Sequence, residues 1–308
     1  MPSEIGSVTT RDGVSLRTRR WEPSEEPWAG LLIVHGLGEH TGRYERTGSI
    51  LAAAGILVHG WDLRGFGGSG GPHCHVERWE DHLDDMEAAL DRLRIALPGR
   101  PAILLGHSMG GLIALDQVTS GRPRADLLVL SAPAVTDALA PWKHRLVPIL
   151  DRILPRLRLP SGITSEDVCR DPAQAAADAC DPLVDRSGSV RLGRFGFDAQ
   201  RRVAARLAAL ERMPTPTLVV HGADDTVIPV ASSEAIGRLD GVTRRVLPGL
   251  RHEVFNEPEG PEVVTEVVTW IGERVDARTQ TVVEPVRSGV ALPGAPATDG
   301  PELAVEAV

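Results

Sequence analysis

Short apolar runs alternate along this chain with stretches whose apolar positions recur every three or four residues. Leu31-Leu32-Ile33-Val34, Gly55-Ile56-Leu57-Val58, Ala102-Ile103-Leu104-Leu105 and the runs at 127–130, 217–220 and 244–247 have the length and density of buried strands. Between them, 44–54, 82–97, 111–119, 231–239 and 261–275 carry helical periodicity. In 82–97 the stripe is Leu83, Met86, Leu90, Leu93 and Leu97; in 261–275 it is Val263, Val264, Val267, Val268 and Ile271. At the start, Ile5 to Trp21 alternates around Arg11-Asp12-Gly13, which predicts an edge hairpin. Strand and helix in alternation predict a parallel sheet covered on both faces.

One stretch breaks the rhythm. From about Pro133 to Met213 no strand pattern is visible, and the text is helical and punctuated by prolines. A structureless loop of that length is rare in a compact domain, so the expectation is an inserted helical cap. From about Asp276 the chain is rich in Pro, Gly, Val and Ala without period, and 276–308 reads as a flexible tail on a domain spanning 1–275. There are no internal repeats.

The most specific chemistry lies at the end of one apolar run. Gly106-His107-Ser108-Met109-Gly110 reads G-x-S-x-G between a strand pattern and a helix pattern. A serine there is forced into a sharp turn that lifts its hydroxyl clear of the sheet, and the flanking glycines let strand and helix pass closely. A serine hydroxyl needs a base, and the base needs an orienting acid. In this architecture the order is Ser, then Asp or Glu, then His, each beyond a strand's carboxyl end. The chain supplies His221-Gly222-Ala223-Asp224-Asp225 after one run and Pro248-Gly249-Leu250-Arg251-His252 after the next. The spacing favours Asp225 over Asp224, whose alternative work is to cap the turn. Of the ten histidines, His252 alone follows the last strand pattern. Two backbone N–H groups should receive the oxyanion: Met109, after the serine, and Leu37, in the His35-Gly36-Leu37-Gly38 loop.

Composition narrows the class. A formal charge of -9 argues against a general nucleic-acid binder. Cys74, Cys169 and Cys180 have no metal-like spacing and suit a reducing compartment. His73-Cys74-His75 reads as a loop tract, so neither metal nor cofactor is expected. The start lacks the basic and apolar regions of a secretion signal, and no apolar run reaches the roughly eighteen residues of a membrane span. The expected location is the cytosol, with peripheral membrane contact open.

His35-Gly36-Leu37-Gly38-Glu39-His40-Thr41-Gly42-Arg43-Tyr44 resembles the HGxGEHxxRY signature of the monoacylglycerol lipase and lysophospholipase-like serine hydrolases, within the serine aminopeptidase S33 family. Asp62-Leu63-Arg64-Gly65-Phe66-Gly67-Gly68-Ser69-Gly70 is similar to its DxRGHGxSxG signature, and Arg170-Asp171-Pro172 and Asp181-Pro182-Leu183-Val184 to pieces of its cap. The resemblance spans roughly residues 5–275. It implies an α/β-hydrolase fold: an eight-stranded, mostly parallel sheet with a cap over about 133–213. It also implies Ser108, Asp225 and His252 as triad, Leu37 and Met109 as oxyanion donors, and Glu39 and Arg43 in a polar pocket for a glycerol head. A Glu–Arg pair that merely holds the loop is the alternative for the last two. Phe66 stands where the signature has His, and Phe255 where animal monoacylglycerol lipases carry a second His.

The implied reaction is ester hydrolysis through an acyl-enzyme on Ser108, with monoacylglycerol as the expected substrate. A lysophospholipase, a broad carboxylesterase, and a ligand-binding homologue without turnover are the alternatives. Trp142, Leu146, Ile149, Leu150, Ile153 and Leu157 fall on one helical face, and 141–160 carries a surplus of four positive charges. This face predicts either a helix packed on the core or a lid that meets lipid surfaces. Pro148 and Pro155 are expected to interrupt any long helix.

Overall fold

The computed structural model describes residues 2–137 and 141–283. In chain order the elements begin with β1 (Glu4–Thr9), β2 (Ser15–Trp21), β3 (Ala29–Val34), α1 (Glu45–Ala53), β4 (Ile56–Trp61), α2 (Glu80–Ala96), β5 (Ala102–His107), α3 (Met109–Thr119) and β6 (Leu127–Ser131). Then come α4 (Pro141–Ile153), β7 (Arg158–Pro160), α5 (Ser165–Val168), α6 (Pro172–Cys180), β8 (Ser187–Ser189) and α7 (Val190–Ala208). The chain closes with β9 (Arg212–Gly222), α8 (Glu234–Gly237), β10 (Asp240–Leu247) and α9 (Gly260–Val283). The chain divides into two compact units, one ending at Ile271 and the other beginning at Gly272.

Eight strands form one sheet in the order β1-β2-β4-β3-β5-β6-β9-β10. The β1–β2 and β2–β4 pairs are antiparallel and the rest parallel. Every residue of β3, β5 and β6 is buried. Side chains on a strand alternate between faces, so unbroken burial means that both faces are covered. That is why these strands read as continuous apolar runs and not as alternation. Helix α1 packs on β2 and β4, α2 on β3 and β5, α3 on β3, β5, β6 and β9, and α8 on β10.

The hairpin at 5–21 and the strand and helix positions expected beyond it are present. Two details of the sequence reading change. The stretch after β6 holds a two-stranded antiparallel sheet, β7–β8, whose three-residue strands are too short to leave a period. And α4 runs through Pro148 to Ile153, stopping before Pro155. Helix α9 continues past Asp276 to Val283, and the rest of the stretch read as a tail, 284–308, lies outside the described residues.

Several histidines are buried under and beside the sheet. His82 on α2 is fully buried, edge-on to Trp79 with ring centroids 5.7 Å apart. Neither of its ring nitrogens has a hydrogen-bond partner among the described residues. Burial, then the Arg64 charge, push it down to about 3. Burial likewise lowers His59 to about 4. A ring that stays neutral when folded but takes a proton when unfolded stabilises the fold fully above pH ~6.5. That contribution is lost as pH falls toward the folded value, by about 2 kcal/mol for His82 at pH 5. We therefore expect the thermal midpoint to drop between pH 7.5 and pH 5, and to drop measurably less in His82→Leu. An unchanged drop in the variant would show that His82 is not a source of it.

Candidate active site

Each expected site residue lies just beyond the carboxyl end of a parallel strand. The 35–38 loop follows β3, Ser108 follows β5, Asp225 follows β9 and His252 follows β10. In the sheet β3 adjoins β5, and β6, β9 and β10 continue from it, so these loops share one edge.

Ser108 has φ 52° and ψ −117°, a left-handed backbone that side chains other than glycine rarely adopt. The turn survives because its surroundings fix it. Its N–H donates to Ser131 O at 3.0 Å, and its carbonyl accepts from Ala134 N at 3.0 Å and Leu112 N at 3.1 Å. The glycines are required by contact. A Cβ on Gly110 would lie 2.1 Å from Val34 O, and one on Gly106 2.7 Å from Gly110 O. Ser108 itself is half-buried. Met109 is the first residue of α3, so its amide has no carbonyl acceptor within its own helix.

Asp225 and His252 are brought together: Nδ1 of the imidazole lies 2.8 Å from Asp225 Oδ2. The carboxylate also accepts from Val227 N at 2.8 Å and Ile228 N at 2.9 Å. Burial alone would raise Asp225, but bonds from His221, His252 and these amides outweigh it and hold the carboxyl well below the usual range. It is therefore an anion that orients the His252 ring through Nδ1. The His252 ring lies 4.7 Å from that of His107, the residue before Ser108. Burial, then the neighbouring His252, push His107 down to about 3. His107 is thus a neutral wall of the site. Asp224 is exposed.

The loop that carries Leu37 is braced from beneath. His35 is buried; its Nε2 accepts from Leu63 N at 2.7 Å, so Nδ1 carries the proton and donates to Gly36 O at 2.8 Å. Asp62 accepts from Thr41 N, Thr41 Oγ1 and Gly68 N. These bonds join the two glycine-rich segments to each other. Phe66 is buried with its ring edge-on to His35 at 6.3 Å, behind the loop. A Cβ on Gly36 would meet Glu39 Oε1 at 2.9 Å and Ser108 Cβ at 3.1 Å, so this loop passes directly over the serine.

Glu39 and Arg43 are both buried and both engaged. Glu39 Oε1 accepts from Gly36 N at 2.5 Å and Tyr44 Oη at 2.9 Å, while Oε2 has no hydrogen-bond partner among the described residues. Arg43 Nη1 is 3.9 Å from Glu39 Oε2, and Nη1 and Nη2 donate to Glu253 at 2.8 and 2.7 Å. Neither Glu253 nor His221, which lies 3.1 Å from Asp225 Oδ2, stood out in the sequence. The signal for both was adjacency: one follows His252, the other opens the segment that ends in Asp225. Of His73-Cys74-His75, the first two approach Asp185, whose Oδ2 is already held by His73 at 2.7 Å and Arg158 at 3.0 Å.

The cap helix α4 turns its apolar stripe outward. Trp142 is 60%, Ile149 57% and Ile153 69% exposed. The expectation of a stripe packed on the core is corrected: Asp151 on the other face is buried and pairs with Arg191 and Arg194 of α7.

The profile of the serine aminopeptidase S33 family matches residues 25–259. A monoacylglycerol lipase of Mycolicibacterium smegmatis is 35% identical over 266 residues, covering 84% of this chain and 93% of its own. A phospholipase of Bacillus subtilis is 30% identical, covering 78% and 93%. The crystal structure of a Paleococcus ferrophilus monoacylglycerol lipase superposes with a TM-score of 0.75 at 28% identity, covering 84% of this chain and 99% of that one. With its sheet order, its strained serine turn and its matched length, the chain belongs to the serine aminopeptidase S33 family of α/β-hydrolases.

Proposed function

We propose that this carboxylic ester hydrolase cleaves monoacylglycerols through an acyl-enzyme on Ser108. The observation that carries the reading is a buried Asp225–His252 pair, 2.8 Å apart, at the same sheet edge as a serine in a strained turn. Ser108 Oγ attacks the ester carbonyl while His252 Nε2 takes its proton, and Asp225 stabilises the imidazolium. The amides of Met109 and Leu37 receive the oxyanion. His252 then returns the proton to the leaving alcohol, and water repeats the sequence on the acyl-enzyme. Every step uses groups of the chain itself.

Substrate choice rests on the relatives and on the loop over the serine. Glu39 Oε2 is a buried carboxylate oxygen with no hydrogen-bond partner among the described residues, and its sister oxygen Oε1 is held by Gly36, the residue that faces Ser108 Cβ. Oε2 supplies an acceptor for a free hydroxyl of the alcohol, with the Arg43 guanidinium 3.9 Å away. Phe255, buried near His252 in sequence, supplies no polar atom to that end. The second reading, a lysophospholipase, is favoured by the Bacillus subtilis relative. The exposed stripe of α4, flanked by Lys143, Arg145 and Arg152, suits transient contact with a lipid surface. Among the described residues no helix is long and apolar enough to cross a membrane.

Ser108→Ala should lower p-nitrophenyl butyrate hydrolysis by at least about 10³-fold with an unchanged thermal midpoint, and should abolish fluorophosphonate labelling. Retained turnover would refute the nucleophile. On defined substrates, kcat/KM for monooleoylglycerol should exceed that for lysophosphatidylcholine; the reverse order selects the second reading. The wild-type chain should float with phosphatidylglycerol vesicles, and Trp142→Ser/Ile149→Ser should float less. A wild-type chain that stays in the soluble fraction would sink the surface contact.

A further inference from the structure

Outside the serine, histidine and aspartate, one cluster of buried charges adjoins His252. Arg43 Nη1 and Nη2 donate to Glu253 Oε1 and Oε2 at 2.8 and 2.7 Å, a two-point pair in which both side chains are almost fully buried. Asn256 Nδ2 donates to Glu253 Oε2 at 2.9 Å. The same Arg43 Nη1 is 2.7 Å from Asp178 Oδ1 on α6, and Arg186 pairs with Asp178 Oδ2 at 2.6 Å and lies 3.7 Å from Glu253 Oε1. Glu253 N also donates to Val168 O of α5 at 2.8 Å. Three pieces of chain meet here: the loop after β3, the residue next to His252, and the segment between β6 and β9.

Carrying so much charge out of water is costly, and an apolar cluster of equal volume would stabilise the fold as well. The geometry gives the charges another use. A planar guanidinium gripping a carboxylate at two points fixes distance and angle together, which an apolar contact does not. Here one end of the grip follows His252 directly. The other lies six residues beyond Leu37, on the loop whose Gly36 faces Ser108 Cβ.

We infer that Glu253 and Arg43 are positioning residues, whose buried two-point pair locks the His252 loop to the oxyanion loop, with Asp178 and Arg186 closing it from the cap. This rests on the triad reading. The pair touches no reacting atom; it holds the base and the oxyanion donors in one register. Misplacement by about 1 Å at such a site costs on the order of 10²-fold in rate. Arg43 is shared between Glu253 and Asp178, so displacement of α6 loosens the base loop as well.

The test uses the full chain and a soluble p-nitrophenyl ester, with rates normalised to active sites titrated by a fluorophosphonate. Glu253→Gln should lower kcat per labelled site by about 10- to 100-fold while KM stays within about twofold. Arg43→Met should do the same, and Arg43→Lys should recover part of the loss. Wild-type kcat per labelled site in Glu253→Gln, whatever its thermal midpoint, would overturn the inference and reduce the pair to scaffolding. A raised KM at unchanged kcat in Arg43→Met would overturn it in favour of direct substrate contact. Should Glu253→Gln fail to fold, Arg43→Met/Glu253→Met removes both charges at similar volume and should fold. Low kcat in that double variant supports positioning, and wild-type kcat refutes it. If the unmutated chain takes no label at Ser108, the triad reading fails instead, which is a separate result.

Discussion

The site depends on how closely helix α3 approaches strands β3 and β5. Val34 O lies where a side chain on Gly110 would begin, and Gly110 O where one on Gly106 would. With both positions reduced to hydrogen, the helix starts hard against the sheet. The residue between strand and helix is then left with φ 52°, a conformation worth roughly 1–3 kcal/mol of strain. Burial of β3, β5, β6 and α3 in one continuous core holds that strain in place. The same approach aims the first amides of α3 at the space above Ser108, where negative charge is welcome. One steric fact thus fixes the serine turn and the start of α3 together.

Charge is sorted around this turn by how many donors each group meets. Asp225 is buried, yet two histidines and two amides keep it ionised. His107 is buried beside His252 and remains neutral. His35 is also neutral, because burial lowers it and because its Nε2 is committed as an acceptor to Leu63 N. The outcome is one anion oriented on one imidazole, with the remaining rings serving as walls and braces. Across the site the balance differs: burial pushes Glu253 up even though Arg43 donates two hydrogen bonds to it, while the carboxylates around Arg43 hold its guanidinium charged.

Much of this was legible in the sequence, for a physical reason. A strand buried on both faces must be apolar throughout, so β3, β5 and β6 announced themselves as runs. A turn that excludes Cβ atoms must be written with glycines, so the segment around Ser108 did too. Ends of neighbouring parallel strands converge by topology, which carried Asp225 and His252 along once the strands were assigned. What stayed hidden depends on pairing between distant segments. Arg43 and Glu253 are 210 positions apart, and nothing local says that either is buried. The β7–β8 ladder pairs residues about thirty apart through strands of three residues, shorter than any readable period. Pro148 failed to break α4 because a proline kinks a helix or is tolerated in it according to what surrounds the freed carbonyl, which context alone decides.

The cap shows a deeper limit of periodicity. A stripe at three-and-four spacing says that Trp142, Leu146, Ile149 and Ile153 share a face; it does not say toward what that face turns. In this molecule the opposite face carries Asp151, and Asp151 is the side chain that α7 holds, through Arg191 and Arg194 at 3.1 and 2.6 Å. The helix is therefore tethered through Asp151, with Val147 and Leu150 half-buried, and it presents Trp142, Leu146, Ile149 and Ile153 outward. Four large apolar side chains left in water on one face cost solvation that a packed core helix would recover. The lipid-surface contact proposed for this face would recover that cost.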